Sequence, residues 1–112
     1  MRVLVLGGYG LIGAAVMRAL RRAGHKPIGL GRKTDDAKLR MPWAEWRSAD
    51  IATLVAAASW RPLLENVDAV VNASGALQDG ARDSVADVQS RAIRALIDAC
   101  ATQSISAFVQ IS

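Results

Sequence analysis

The chain has 112 residues, with 14 basic and 10 acidic side chains, one histidine, one cysteine and a formal net charge of +4. That length excludes more than one ordinary domain but leaves enough chain for a real core. A hydrophobic fraction of 52% with 21% charged residues excludes a disordered segment.

Other composition features narrow the class further. Eleven of the basic residues are arginines, scattered rather than clustered, which argues against a nucleic-acid partner and for small anionic ligands. The lone Cys100 allows no internal disulfide and reads as a small buried hydrophobe, so nothing points to an oxidising compartment. No run approaches the roughly 20 apolar residues of a membrane span. The four apolar residues after Arg2 are too few for a secretory signal, and the cytoplasm is the expected location.

Val3-Leu4-Val5-Leu6 is a continuous apolar run stopped by Gly7 and Gly8, the pattern of a strand buried on both faces. From Leu11 to Ala23 the period lengthens. Leu11, Ile12, Ala15, Val16, Ala19, Leu20 and Ala23 predict one apolar helical face, with Arg18, Arg21 and Arg22 opposite. Arg21 and Arg22 suit the negative end of the helix dipole, and Gly24 suits the position just past it. Pro27 to Leu30 predicts a second strand, with the proline at its start where a missing N–H is tolerated.

Residues 31–44 read as polar and irregular. Glu45 to Ser48 predicts a short strand, Ile51 to Trp60 a helix, and Val67 to Asn72 a buried strand. After a turn at Asp79-Gly80, Val85 to Ala101 repeats the helical pattern through Val88, Ala92, Ile93, Leu96 and Ala99. Ala107 to Ile111 predicts the last strand. The alternation implies an α/β domain, a Rossmann-like doubly wound parallel sheet of five strands in the order 3-2-1-4-5, with helices on both faces.

Gly7-Gly8-Tyr9-Gly10-Leu11-Ile12-Gly13 falls between the first strand and the first helix, the context that a dinucleotide site requires. The chain there must reverse tightly, let backbone amides approach a pyrophosphate, and pack the helix close to the sheet. Each of these steps disfavours a side chain, and the helix then turns its positive end to the phosphates. A phosphate loop of the nucleotide-triphosphate type is excluded, since no Gly-Lys-Ser/Thr follows. Gly7, Gly8, Tyr9, Gly10, Leu11, Ile12 and Gly13 are therefore the first candidate binding residues.

The string GGYGLIG resembles the extended and atypical short-chain dehydrogenase/reductases, the NAD(P)-dependent epimerase/dehydratase-like group. The resemblance continues through Ser48-Ala49-Asp50-Ile51, Val70-Val71-Asn72-Ala73-Ser74-Gly75 and Phe108-Val109-Gln110-Ile111-Ser112, so it spans the chain in the family's order. It implies that Asp50 accepts a hydrogen bond from the adenine amino group with Ile51 beside it, and that Ala73, Ser74 and Gly75 line the wall beside the ribose and phosphates. Asp50 as an N-cap for the following helix is equally good chemistry, and both roles stay open.

An NAD site usually places an acid near the end of the second strand to hold the ribose 2′-hydroxyl. Here Arg32 stands 19 residues after Gly13, followed by Lys33. A guanidinium can grip a 2′-phosphate with two hydrogen bonds and stack on adenine. NADP(H) is therefore favoured, with NAD(H) the alternative if Asp35 or Asp36 folds back to the ribose. A flavin site is weakened by the same arginine.

The rest of the chain offers less chemistry. His25 follows the helix end and reads as exposed or capping. Trp43, Trp46 and Trp60 suit a small satellite core, and Arg91 with Arg94 suit a solvated helix face. No metal set is spaced for ligation. The family's Tyr-x-x-x-Lys pair is absent: Tyr9 lies in the turn without a lysine four residues on. Ser112 matches the start of the family's serine segment, and Gln89 replaces its frequent asparagine, so no catalytic residue is assigned. The chain reads as the cofactor-binding part of a longer oxidoreductase, epimerase or dehydratase. The alternative is a non-catalytic NAD(P)-binding module, such as a redox sensor, regulator or respiratory accessory subunit. The expectation for the isolated chain is weak dinucleotide binding without turnover, and pairing of two copies through the last strand is a further expectation.

Overall fold

A computed structural model of the chain describes the backbone of residues 1–74 and 83–111 and the side chains of residues 1–74 and 90–111. The Asp79-Gly80 turn, Gly75, Ser112 and the side chain of Gln89 thus lie outside the described residues. Five parallel strands form one sheet: β1 (Arg2–Leu6), β2 (Lys26–Gly31), β3 (Glu45–Ser48), β4 (Ala69–Asn72) and β5 (Ala107–Gln110), in the order β3-β2-β1-β4-β5. Helices α1 (Leu11–Arg22), α2 (Asp35–Arg40), α3 (Ala57–Trp60) and α4 (Asp83–Thr102) connect them. This is the predicted sheet, strand for strand.

The central strand has no polar face because both of its faces are covered. Leu4 and Leu6 join Ile28, Leu30, Val70 and the Ala92-Leu96-Ala99 stripe of α4 in one core. Val3 and Val5 point the other way, into a second core with Met17 of α1 and the half-buried Val16, Leu20, Trp43 and Trp46. Alternation of side chains along each strand feeds the two layers. At the β5 edge Phe108 packs inward, whereas Val109 is 49% exposed.

Three expectations about the helices are corrected. The inward stripe of α1 is Gly13 and Met17 with Val16 and Leu20; Leu11 is 91% and Ile12 54% exposed, and Ala15, Ala19 and Ala23 face solvent. The cause is Gly13. Its Cα sits against the Gly7 carbonyl, and that contact sets the rotational phase of the whole helix.

Residues 31–44 are not irregular throughout, because α2 occupies Asp35–Arg40, with acids in its first turn, bases in its last and Ala37 buried. So short a helix leaves no period to read. Finally, the predicted helix over 51–60 is broken into a 3₁₀ turn at Ile51–Thr53, a bend, and α3. The Leu54 carbonyl, which a continuing helix would offer to the Ala58 amide, instead accepts the Trp60 indole N–H at 2.9 Å.

The tryptophans do not form one satellite core. Trp60 is fully buried in the main core and also donates to Ala92 O at 3.0 Å, whereas Trp43 and Trp46 serve the layer under α1. Arg91 and Arg94 are exposed as expected, and α1 ends in a Schellman pattern around Gly24, with His25 N–H bonded to Leu20 O at 3.0 Å.

Candidate functional site

The site is built where β1, β2, β3 and β4 end. Gly7 leaves β1 with φ +72°, a conformation that a side chain resists, and its amide donates to Leu30 O of β2 at 2.9 Å. A Cβ at Gly7 would lie 2.8 Å from Ser74 Cα and 2.9 Å from Ala73 O, so the turn is pressed against the end of β4. The Gly10 N–H closes the turn on Gly7 O at 3.0 Å, and a Cβ at Gly13 would collide with that same oxygen. Gly10 is the N-cap of α1 and has no side chain to satisfy the first helical amides, which stay open at the positive end of the dipole. Leu11 and Ile12 are exposed beside them.

Two aromatic rings form the flank. Gly29 and Gly31 share one face of β2, and both lack the Cβ that would intrude on a ring. Trp46 lies on Gly29 and Tyr9 on Gly31, with the ring centroids 6.4 Å apart at an interplanar angle of 30°. The Trp46 indole N–H donates to Met41 O at 3.1 Å. The amides of Arg32 and Lys33 donate to the Tyr9 hydroxyl at 3.2 and 3.4 Å. The ends of β2 and β3 are tied by Ala49 N–H to Gly31 O at 3.0 Å and Ser48 Oγ to Arg32 O at 2.9 Å.

Gly7, Tyr9, Arg32, Asp50, Ile51 and Ser74 line one cleft of about 410 Å³. Six of the residues singled out in sequence thus meet in one place, drawn from the ends of four strands. Arg32 also lines a neighbouring depression with Lys33, Asp35 and Asp36, on the outer side of the β2 end. Gly8 is buried against Gly29, and Ala73 is half-buried; neither lines the cleft. Asp50 caps the 3₁₀ turn through Oδ1, which accepts the Ala52 N–H at 3.0 Å. Its second oxygen has no hydrogen bond to the described residues. The capping reading therefore holds and leaves a carboxylate oxygen open to the cleft.

One positioning residue was not singled out in sequence. Asn72 is only 2% exposed, and its Oδ1 accepts from Ser74 N–H at 3.1 Å and Ser74 Oγ at 2.6 Å, while Nδ2 donates to Gln110 at 2.9 Å. The signal was a polar residue closing an apolar strand.

Two ionisable groups elsewhere serve structure. At the amino ends of the strands, burial works to raise the Glu45 carboxyl, but hydrogen bonds and charge from Arg2 and Arg47 outweigh it and hold it below its ordinary value. Burial pushes the Cys100 thiol up, which keeps it protonated and inert. A shallow polar depression at that end, lined by Arg2, Asn66 and Asp68, brings together no chemistry of the kind seen at the carboxyl ends. Among the described residues there is no cluster able to hold a metal, and no helix is long and apolar enough to cross a membrane.

A parallel sheet in this order, with a glycine-rich turn opening α1 at its carboxyl edge, is a Rossmann-type NAD(P)-binding domain. The chain belongs to the NAD dependent epimerase/dehydratase family, whose model matches residues 3–112. Among solved structures it is similar to UDP-N-acetylglucosamine 4-epimerase from Bacillus cereus, at 26% identity and TM-score 0.77, over 98% of this chain and 37% of that one. It is also similar to a short-chain dehydrogenase/reductase superfamily protein from Agrobacterium tumefaciens with bound NAD, at 25% identity and TM-score 0.77, covering 98% of this chain and 32% of that protein. A nucleoside-diphosphate-sugar epimerase from Pseudomonas aeruginosa shares the fold at 22% identity and TM-score 0.70, over 98% of this chain and 32% of that one. The chain therefore spans about a third of the length of these relatives. No curated protein matches it.

Proposed function

We propose that the chain binds NADP(H) in preference to NAD(H), as the cofactor-binding part of an oxidoreductase, epimerase or dehydratase. The observation that carries this reading is the position of Arg32, exposed at the end of β2 and lining the cleft shared by Gly7, Asp50 and Ser74. An acidic residue there would repel a 2′-phosphate; a guanidinium grips it. Lys33 adds a second cation on the outer side, where Asp35 and Asp36 also lie.

The same reading assigns the remaining roles. The glycine turn and the open amides at Leu11, Ile12 and Gly13 receive the pyrophosphate, because no Cβ stands between it and the backbone. The uncapped oxygen of Asp50 accepts from the adenine amino group, and Ile51 packs beside the ring. Ser74, which lines the cleft at the end of β4, stands next to the ribose. The NAD bound in the Agrobacterium relative supports a dinucleotide as the ligand class.

Titration with NADPH and NADH, each followed by its own fluorescence, tests the reading. NADPH is expected to bind the wild-type chain more tightly, and Arg32→Ala to weaken NADPH about tenfold with little effect on NADH, the size of one charge-assisted hydrogen bond. Tighter NADH binding, or unchanged NADPH affinity in the variant, overturns it.

A further inference from the structure

We propose that Tyr9 is a specificity-determining residue of this cleft: its phenol O–H is a fixed donor that holds the cofactor's 2′-phosphate beside Arg32. The inference rests on the NADP(H) reading above and deepens it.

The first observation is that the ring is held in place by the fold. Tyr9 lies on the bare Cα of Gly31, where even a methyl group would collide with the ring. Trp46 backs it at 6.4 Å, itself seated on Gly29 and tethered to Met41 O. The phenol therefore reaches the end of β2 from a supported position rather than from a free loop.

The second observation concerns what the hydroxyl has left to offer. A phenol oxygen accepts through two lone pairs and donates one proton. Both lone pairs are taken, by the consecutive amides of Arg32 at 3.2 Å and Lys33 at 3.4 Å. Successive amides that converge in this way form a concavity suited to negative charge. Here they polarise a neutral oxygen and strengthen its O–H as a donor. No described residue accepts that proton, and Tyr9 lines the cleft together with Arg32.

A group that can only donate discriminates between the two cofactors. The 2′-phosphate accepts and cannot act as a neutral hydroxyl does; a donor beside a guanidinium is complementary to it. A ribose 2′-hydroxyl is held best by a group that takes its proton, which a phenol with both lone pairs occupied cannot do. Tyr9 should therefore contribute to selectivity for the phosphorylated cofactor more than to general affinity.

Calorimetric binding of adenosine 2′,5′-bisphosphate and of AMP tests this, because the two probes differ only in the 2′-phosphate. Tyr9→Phe is expected to weaken the bisphosphate about tenfold while leaving AMP within about twofold. Gly31→Ala, whose methyl displaces the Tyr9 ring, is expected to lose the same selectivity. Equal losses for both probes, or no loss, would make Tyr9 a packing residue and overturn the proposal. Tighter bisphosphate binding by Tyr9→Phe overturns it too, by showing that the phenol withholds the two amides from the phosphate. A wild-type chain that fails to prefer the bisphosphate removes the NADP(H) reading itself, and this inference with it.

Discussion

At the scale of single residues, the site is defined by atoms that are missing. Gly13 is the clearest case, because its Cα rests against the Gly7 carbonyl, which in turn accepts the Gly10 amide. A side chain there must push the helix off the turn. Gly13→Ala is expected to cost about 3 kcal/mol, as overpacking against rigid backbone does. Urea unfolding monitored by circular dichroism measures it, and a midpoint equal to wild type would contradict the role assigned to Gly13. Gly7, Gly10 and Gly13 were legible because their spacing matches what each step of the turn demands. Gly31 was read outside the second strand, so its place beside Gly29 on one face of β2 was not legible, and neither were the Trp46 and Tyr9 rings that lie on them, which come from other parts of the chain.

At the scale of elements, the strands and the stripe of α4 were read correctly, whereas the facing of α1 and the short helices were not. α4 turns Ala92, Leu96 and Ala99 inward, the very stripe that its sequence repeats. α1 is a helix where expected, but its phase answers to Gly13 rather than to Leu11 and Ile12, because steric contact with the turn outweighs the burial of two terminal side chains. α2 and α3, at six and four residues, are held by tertiary contacts rather than by any period.

Elements are also tied by charge at the amino ends of the strands. Arg2 of β1 donates to Glu45 of β3 at 2.9 Å and to Asn66 O at 2.7 Å, and Arg47 donates to Glu45 at 2.9 Å and to Leu63 O at 2.7 Å. The folded carboxyl of Glu45 lies below its unfolded value, so its contribution is complete above the unfolded value of 4.5 and is lost as pH falls through the folded one. Glu45→Gln is expected to lower stability near neutral pH by less than about 1 kcal/mol, since the cluster is partly solvated. The gap between variant and wild type should close in acid. A difference in urea midpoint that persists well below the carboxylate range would assign it to another cause.

At the scale of the whole molecule, the ligand site and the fold are one structure. The cleft exists only while the ends of β1, β2, β3 and β4 are in register, so a dinucleotide that binds it binds the folded chain alone. Free NADPH at about a hundred times its Kd should then stabilise the fold by roughly 2.7 kcal/mol. For a domain of this size the melting midpoint should rise by on the order of 10 °C. A midpoint that does not move at saturating NADPH would mean that the cleft is not the cofactor site.

The class of fold, the five strands, the glycine turn and the cation at the end of β2 are legible in the chain alone, because periodicity, strand-turn-helix spacing and charge are local properties. Which way α1 faces, which oxygen of Asp50 caps its turn, and where the Tyr9 hydroxyl is held emerge only from the packed fold. Those depend on atoms that meet only once the chain is packed: Gly13 rests on the turn, Asp50 takes the Ala52 amide, Asn72 reaches across to Gln110, and the amides of Arg32 and Lys33 close on a phenol 23 and 24 residues earlier.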